Sequence, residues 1–341
     1  MKMKKTILAA GAIALATFSL SACSSSKNSD AAKKAFINDV TELNNKSYNS
    51  DKVTMKINSF NATGENSTDL NKYLKNSTFD INVQRDSQNK AASLDGSVTV
   101  DGKDYNLGLI MNEAGIYVNS ADVKSLFNTY KSQIPGNTGE DAQVYNAMFK
   151  GLTTPYFLID EETMDAGLKA SDSSTGVTSW SSELNSLFSQ STASKSDLTK
   201  AFKDVDNSDF SQSGDTVTAK ISAKNGDLDD VIKGAASVNS SISEAQLKKI
   251  LKGGKSDTSI KSLSIVEKIN SKTHKSSSVI TGKIEDKKAK DTVSFKISVN
   301  SQVAKVKSAV KVPSASQAKT IQDLEQSAID SMTQQSLQAT T

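Results

Sequence analysis

The sequence predicts an α+β protein: a large antiparallel sheet, or two similar halves each built on one, with helices packed on one face. Three observations predict it. Apolar and polar residues alternate through several short runs, as in Val53-Thr54-Met55-Lys56-Ile57 and from Val293 to Val299, the period of a strand with one buried and one solvated face. Turns or short links join many of these runs, which suits antiparallel pairing, because a buried parallel strand is apolar on both faces. Between groups of runs lie stretches with apolar residues at every third or fourth position, the period of a helix.

In chain order, Asp30 is placed to cap a first helix carrying Phe36, Val40 and Leu43 at i, i+4 and i+7. Strands follow through Val53, Met55 and Ile57 and through Phe79, Ile81 and Val83. Leu94, Gly96, Val98 and Val100 lead into Asp101-Gly102, a strong two-residue hairpin signal. Beyond it lie Tyr105, Leu107, Leu109 and Met111, then Ile116 to Val118. Ser120 is a candidate cap for a helix bearing Val123, Leu126, Phe127, Tyr130 and Ile134, which Pro135 ends. Val144, Met148 and Leu152 mark a further helix, and Pro155 opens the apolar strand Tyr156 to Ile159. A helix holding Trp180, Leu184, Leu187 and Phe188 lies within the Ser/Thr-rich stretch that follows.

The second half repeats this pattern. A helix around Leu198, Phe202 and Val205 precedes a strand with Val217, Ala219 and Ile221. Helices are expected around Leu228, Val231 and Ile232, and around Leu247, Ile250 and Leu251, the latter ending at Gly253-Gly254. Strands resume at Leu263 to Ile269, Val279 to Ile284 and Val293 to Val299, with a last one from Val303 to Val312 that stops at Pro313. Ser316 is placed to cap a final helix with Ile321, Leu324 and Ala328.

Composition limits the chemistry. The chain has 341 residues, 41 Lys+Arg, 38 Asp+Glu, one His, one Cys and one Trp. A single Cys excludes an intrachain disulfide, and one Cys with one His falls short of a structural zinc site. There is no Walker A loop and no Rossmann glycine pattern, so no cofactor is expected.

The N-terminus carries Lys2, Lys4 and Lys5, then an apolar stretch from Ile7 to Leu20 that is short for a membrane span, then Leu20-Ser21-Ala22-Cys23 followed by three serines. This resembles the signal and lipobox of bacterial lipoproteins, in which cleavage precedes the Cys and its thiol receives a diacylglyceryl group. Forty lysines to one arginine, Arg85, point to an AT-rich genome and a Gram-positive source. The resemblance implies a chain tethered through acylated Cys23 to the extracytoplasmic face of the cell membrane, since two acyl chains anchor stably without a span. The organisation expected is a signal peptide over 1–22, a lipidated tether over 23–30, and a helix, meander and helical insert over 31–170. A Ser/Thr-rich linker over 171–196, a second α+β half over 197–313, and a C-terminal helix with a polar tail over 314–341 complete it. All three signal lysines would leave with the peptide, so 38 basic residues would face 38 acidic ones in the mature chain. That neutrality argues against a nucleic-acid partner.

The helix after the tether, the meander from Val53 to Val118, the helical insert and the strand Tyr156 to Ile159 are similar to the LolA-like family of lipoproteins and lipoprotein carriers. The segment LDGSVTVDGKDYNLGLIMNEAGIYVN, from Leu94 to Asn119, is especially so. The resemblance implies a curved half-barrel sheet with helices in its concave side and a lipid or acylated ligand held between them. Met55, Ile57, Phe79, Ile81, Leu107, Leu109, Phe295 and Ile297 are then the candidate lining. The alternative is a closed core filled by the same residues, with the protein acting as a surface interaction module in adhesion, immunity or envelope assembly.

Other chemistry is thin, and an enzyme is not expected. His274 lies in a polar turn without a nucleophile or orienting acid in sequence. Asp204, Asp206, Ser208, Asp209 and Asp215 are spaced somewhat like a calcium loop, but Asp209 stands where that loop needs Gly. Asp160, Glu161, Glu162 and Asp165 read as the charged start of a helix rather than as paired catalytic carboxylates. Trp180 is expected to pack onto the sheet.

Overall fold

The computed structural model describes residues 29–45, 47–64, 67–130, 139–170, 179–189, 194–203, 205–224, 258–286, 291–307 and 310–339. The lipobox lies outside them, as do both helices expected between Leu228 and Gly254 and residues 171–178 and 190–193 of the expected linker.

In chain order the elements are α1 (Ser29–Leu43), β1 (Ser50–Ala62), α2 (Ser67–Leu74), β2 (Thr78–Asp86), β3 (Ala91–Val100), β4 (Lys103–Asn112), β5 (Gly115–Asn119), α3 (Ser120–Tyr130), α4 (Gly139–Gly151) and β6 (Tyr156–Asp160). There follow α5 (Glu161–Ala170), α6 (Trp180–Ser189), α7 (Lys195–Ala201), β7 (Phe210–Ser213), β8 (Thr216–Lys224), β9 (Thr258–Asn270), β10 (Lys275–Asp286), β11 (Asp291–Ala304), β12 (Ala318–Thr320) and α8 (Ile321–Ala339). The strands form one open sheet in the order β12-β6-β5-β4-β3-β2-β1-β11-β10-β9-β8-β7. It is mostly antiparallel, and the short β12–β6 pair is parallel. The expected α+β class with a large antiparallel sheet is therefore observed.

Contacts divide the chain into two units that interleave in sequence. One comprises Met1–Ile81, Val98–Asp104 and Gln190–Val306, the other Asn82–Ser97, Tyr105–Ser189 and Lys307–Thr341. The expected linear halves differ from this because β1 pairs along its length with β11, from Ser50↔Ala304 to Ala62↔Val293. Those contacts draw the N-terminal segment to the C-terminal strands.

In the first unit, alternation fixes the inner face. Val293, Phe295, Ile297 and Val299 of β11 are buried, as are Ile280 and Ile284 of β10 and Ile260, Leu263, Ile265 and Ile269 of β9. Against this face packs α1, whose Ala32, Phe36, Ile37 and Val40 form one buried stripe. Phe36 meets Phe202 and Phe210 with ring centroids 5.5 Å apart in both cases. The helix α2 has no counterpart among the expected elements, because eight residues carry too few turns to display a period. Asn71 fastens it to β1: its carboxamide accepts from the Ala62 N–H at 2.6 Å and donates to the Ala62 carbonyl at 2.9 Å. Asp101 and Gly102 take φ of 51° and 72° between β3 and β4, the left-handed pair a tight hairpin requires.

In the second unit, β4, β5 and β6 pair antiparallel, with Leu109↔Val118 and Val118↔Phe157 in one cross-strand row. The helices α3 and α4 meet through stacked Phe127 and Phe149, centroids 3.9 Å apart.

Three local expectations need correction. Asn119, not Ser120, caps α3: its side-chain oxygen accepts from the Ala121 N–H at 2.9 Å, while the buried Ser120 hydroxyl has no partner. Thr320, not Ser316, caps α8, in a reciprocal box with Asp323. The strand expected from Val303 to Val312 is absent: Val303 belongs to the end of β11, and Val310 to Val312 run outside any strand. Val310 is buried there outside any strand, and its backbone hydrogen-bonds the Asp86 carboxylate, so a hydrophobic run read as a strand without being one.

Candidate functional site

The eight apolar lining candidates do not gather into one site within a unit. Ile57, Phe295 and Ile297 are buried in the core of the first unit, and Met55 and Phe79 pack against that core half-buried. Ile81 is also half-buried and lies in the first unit, whereas Leu107 and Leu109 are half-buried on β4 in the second.

The same alternation that buries one side of β1, β11, β10, β9 and β8 sets a polar set on the other. Register aligns Lys52 with Gln302, Gln302 with Lys275, and Lys275 with Asn270 in one row. The next row runs Thr54, Asn300, Ser277 and Lys268. These residues, with Thr216 and Thr273 at one end, line an open groove of about 590 Å³. Its lining contains three lysines, a series of hydroxyl and carboxamide groups and Ile269, with no carboxylate and no aromatic ring. Lys275 and Lys268 occupy diagonal positions on neighbouring strands. Sequence reasoning missed this groove because it summed charge along the chain instead of over one face of paired strands.

Near one end of the groove, Ser271 anchors α1 by donating its hydroxyl to Asp39 at 2.8 Å. Burial raises the Asp39 pKa above the ordinary carboxylate value, against the lowering effect of the bonds from Ser271. Native Asp39 thus binds its proton more readily than it does in the unfolded chain. As pH rises from the unfolded pKa through the native one, this group withdraws stability, and above both values the loss is complete. Asp39→Asn, which keeps an acceptor for Ser271, is expected to stabilise the protein at neutral pH by about 0.5 kcal/mol. The gain should fade as pH falls into the carboxylate range. Urea unfolding of both proteins across pH checks this, and a gain that persists or grows in acid would contradict it.

A buried carboxylate on the inner face also escaped the sequence reading. Glu267 lies opposite Ser278 across the β9–β10 ladder, both are buried, and the Ser278 hydroxyl donates to Glu267 Oε2.

The other candidates disperse. His274 ends a turn with φ 55° and sets its half-buried ring 5.0 Å from that of Tyr48. Asp204 lies outside the described residues. Asp206 accepts from the Ser208 N–H at 2.7 Å, a bond that holds its carboxyl below the usual range, and Asp215 pairs with Lys272 at 2.7 Å. Among the described residues no three His, Cys, Asp or Glu side chains gather as a metal site. Asp160 accepts from the Thr163 N–H at 2.9 Å, so it starts α5 as expected. Trp180 is buried, its indole N–H donating to the Asn112 carbonyl at 2.8 Å. No described helix is long and apolar enough to cross a membrane. Compared with known proteins, the chain matches no family model and no curated sequence.

Proposed function

We propose that this protein is a non-enzymatic lipoprotein, held on the extracytoplasmic face of the cell membrane by acylated Cys23, that works as a surface-binding module. The observation that carries this reading is the closed interior of the first unit. Phe36, Leu198, Phe202, Phe210, Ile265 and Ile280 are each 0% exposed, so side chains fill the space between sheet and α1 that an internal ligand would take. The sequence from Lys2 to Ser26 supports the anchor. The order of helix, meander, insert and apolar strand supports a place among LolA-like lipoproteins, with a half-barrel sheet.

The Cys23→Ala protein is expected to leave the membrane fraction for the soluble one, because acylation supplies the only stable anchor in this reading. Unchanged retention would defeat the anchor. A second reading, an apolar or acylated ligand held on the second unit, is favoured by β4, where Tyr105, Leu107, Leu109, Ile110 and Met111 are all half-buried. Native mass spectrometry of the same Cys23→Ala protein separates the two: a clean apoprotein supports the closed module, and a stoichiometric lipid supports the carrier.

A further inference from the structure

A formal net charge of only +3 over the chain hides a strongly uneven distribution. On the outer face of β1, β11, β10, β9 and β8, the alternation that buries the opposite residues places seven lysines. Lys52, Lys56, Lys268, Lys275, Lys283 and Lys296 are exposed, and Lys220 is half-buried. None of the seven makes an ion pair among the described residues. The acid that shares this face on those strands, Glu285, is matched by an eighth lysine, Lys261, at 2.6 Å. Asp80, from neighbouring β2, accepts a hydrogen bond from Thr54.

We propose that this face, centred on the groove around Lys52, Lys268 and Lys275, binds a hydroxyl-rich polyanion such as a phosphate-bearing polyol chain. The proposal deepens the surface-binding reading and rests on it, naming the chemistry of the partner. Charge complementarity selects an anion. Lysine ammonium groups act as point charges on phosphate and need no planar fork, and no arginine is present here for bidentate carboxylate recognition. The hydroxyl and carboxamide groups of Thr54, Ser277, Asn270, Asn300 and Gln302 between the lysines suit a ligand rich in hydroxyls. Two strand spacings separate the backbones of Lys52 and Lys275, about 10 Å, so one extended chain reaches both. The described groove offers no aromatic ring, the platform on which single-stranded nucleic acids stack their bases. Ile269, the apolar residue of the lining, is 3% exposed, so it presents little of the apolar surface by which a protein inserts into a lipid surface.

The test uses the Cys23→Ala protein, which lacks the acyl chains that would enter vesicles by themselves, and titrates synthetic poly(glycerol phosphate) in detergent-free buffer, with dextran, single-stranded oligothymidylate and phosphatidylglycerol vesicles as competing probes. This protein, with its groove lysines intact and taken as the wild-type groove, is expected to bind the glycerol phosphate polymer and to ignore dextran. The triple change K52Q/K268Q/K275Q should weaken that binding by about tenfold or more and lower its logarithmic salt dependence by about one per lysine. The control K124Q/K150Q/K195Q, with the same loss of charge, should bind within about twofold of wild type. Circular dichroism checks folding, and K52Q/K275Q serves if the triple variant unfolds. Equal weakening in groove and control variants, tighter binding of oligothymidylate or of the vesicles, or no binding of the polymer would each overturn the proposal. Membrane retention through Cys23 is read separately, so a failed polymer titration leaves the anchored module standing, and a failed anchor leaves the titration valid.

Discussion

Phe36→Ala is expected to remove about 3–5 kcal/mol from the stability of the first unit. Phe36 is fully buried at the centre of an aromatic trio, with Phe202 edge-on at 84° and Phe210 tilted at 59°, and the latter two are themselves 6.0 Å apart. Truncation loses the transfer free energy of the ring and leaves a cavity walled by two stiff rings that cannot close over it. It also forfeits the edge-to-face contact with Phe202, which contributes about 0.5–1.5 kcal/mol beyond burial. Since a domain's whole stability is about 5–15 kcal/mol, this one change should shift the urea midpoint severely. Phe36→Leu should cost far less, because most of the volume is kept. Equilibrium unfolding followed by circular dichroism measures both; a Phe36→Ala loss below about 1 kcal/mol would mean that α1 is not seated as described.

Gly115→Ala should be nearly as damaging to the second unit, by about 2–5 kcal/mol. Gly115 has φ +133°, a conformation that L side chains rarely adopt. A Cβ there would fall on the Ile159 carbonyl oxygen and lie 2.9 Å from Asp160 Cα. Both obstacles are backbone, so no rotamer change relieves them. The position is enclosed further by the Glu161 N–H, which donates to the Ala114 carbonyl at 3.1 Å, and by Trp180 bound to Asn112. Trp180 fluorescence therefore reports the damage directly: a red-shifted emission and a lower thermal midpoint are expected. Gly102→Ala makes the comparison, since its φ of +72° is also strained but nothing lies near its Cβ. If the two variants were equally stable, the clash with β6 would not be the governing cost.

Much of the strand pattern was legible in the sequence. The runs at Val53 to Ile57, Phe79 to Val83 and Val293 to Val299 all lie in strands, and Asp101-Gly102 is the hairpin turn its residues announce. These signals are local, because side-chain direction in a strand depends only on the parity of position. Helix starts were less secure. Ser120 lies one residue after the actual cap and Ser316 four before it, since a cap is decided by whether an oxygen reaches the N–H groups of the next turn, which spacing alone does not fix. The short helix α2 and the four-residue strand β7 are too brief to show a period.

The sequence by itself determined where most of the described strands form and which of their residues point inward. Tertiary structure decided that β1 lies beside β11, that Phe36 from one end of the chain meets Phe202 and Phe210, and that Lys52 joins Lys268 and Lys275 around one groove. The reason is physical. Periodicity and turn chemistry act between residues a few positions apart, whereas the β1–β11 pairing and the Phe36 packing join residues more than 160 positions apart. Net charge is a sum that ignores position, but electrostatic attraction falls with distance and is screened beyond about 8–10 Å. A chain of nearly balanced charge therefore becomes a protein with a basic face only when its strands are paired in register.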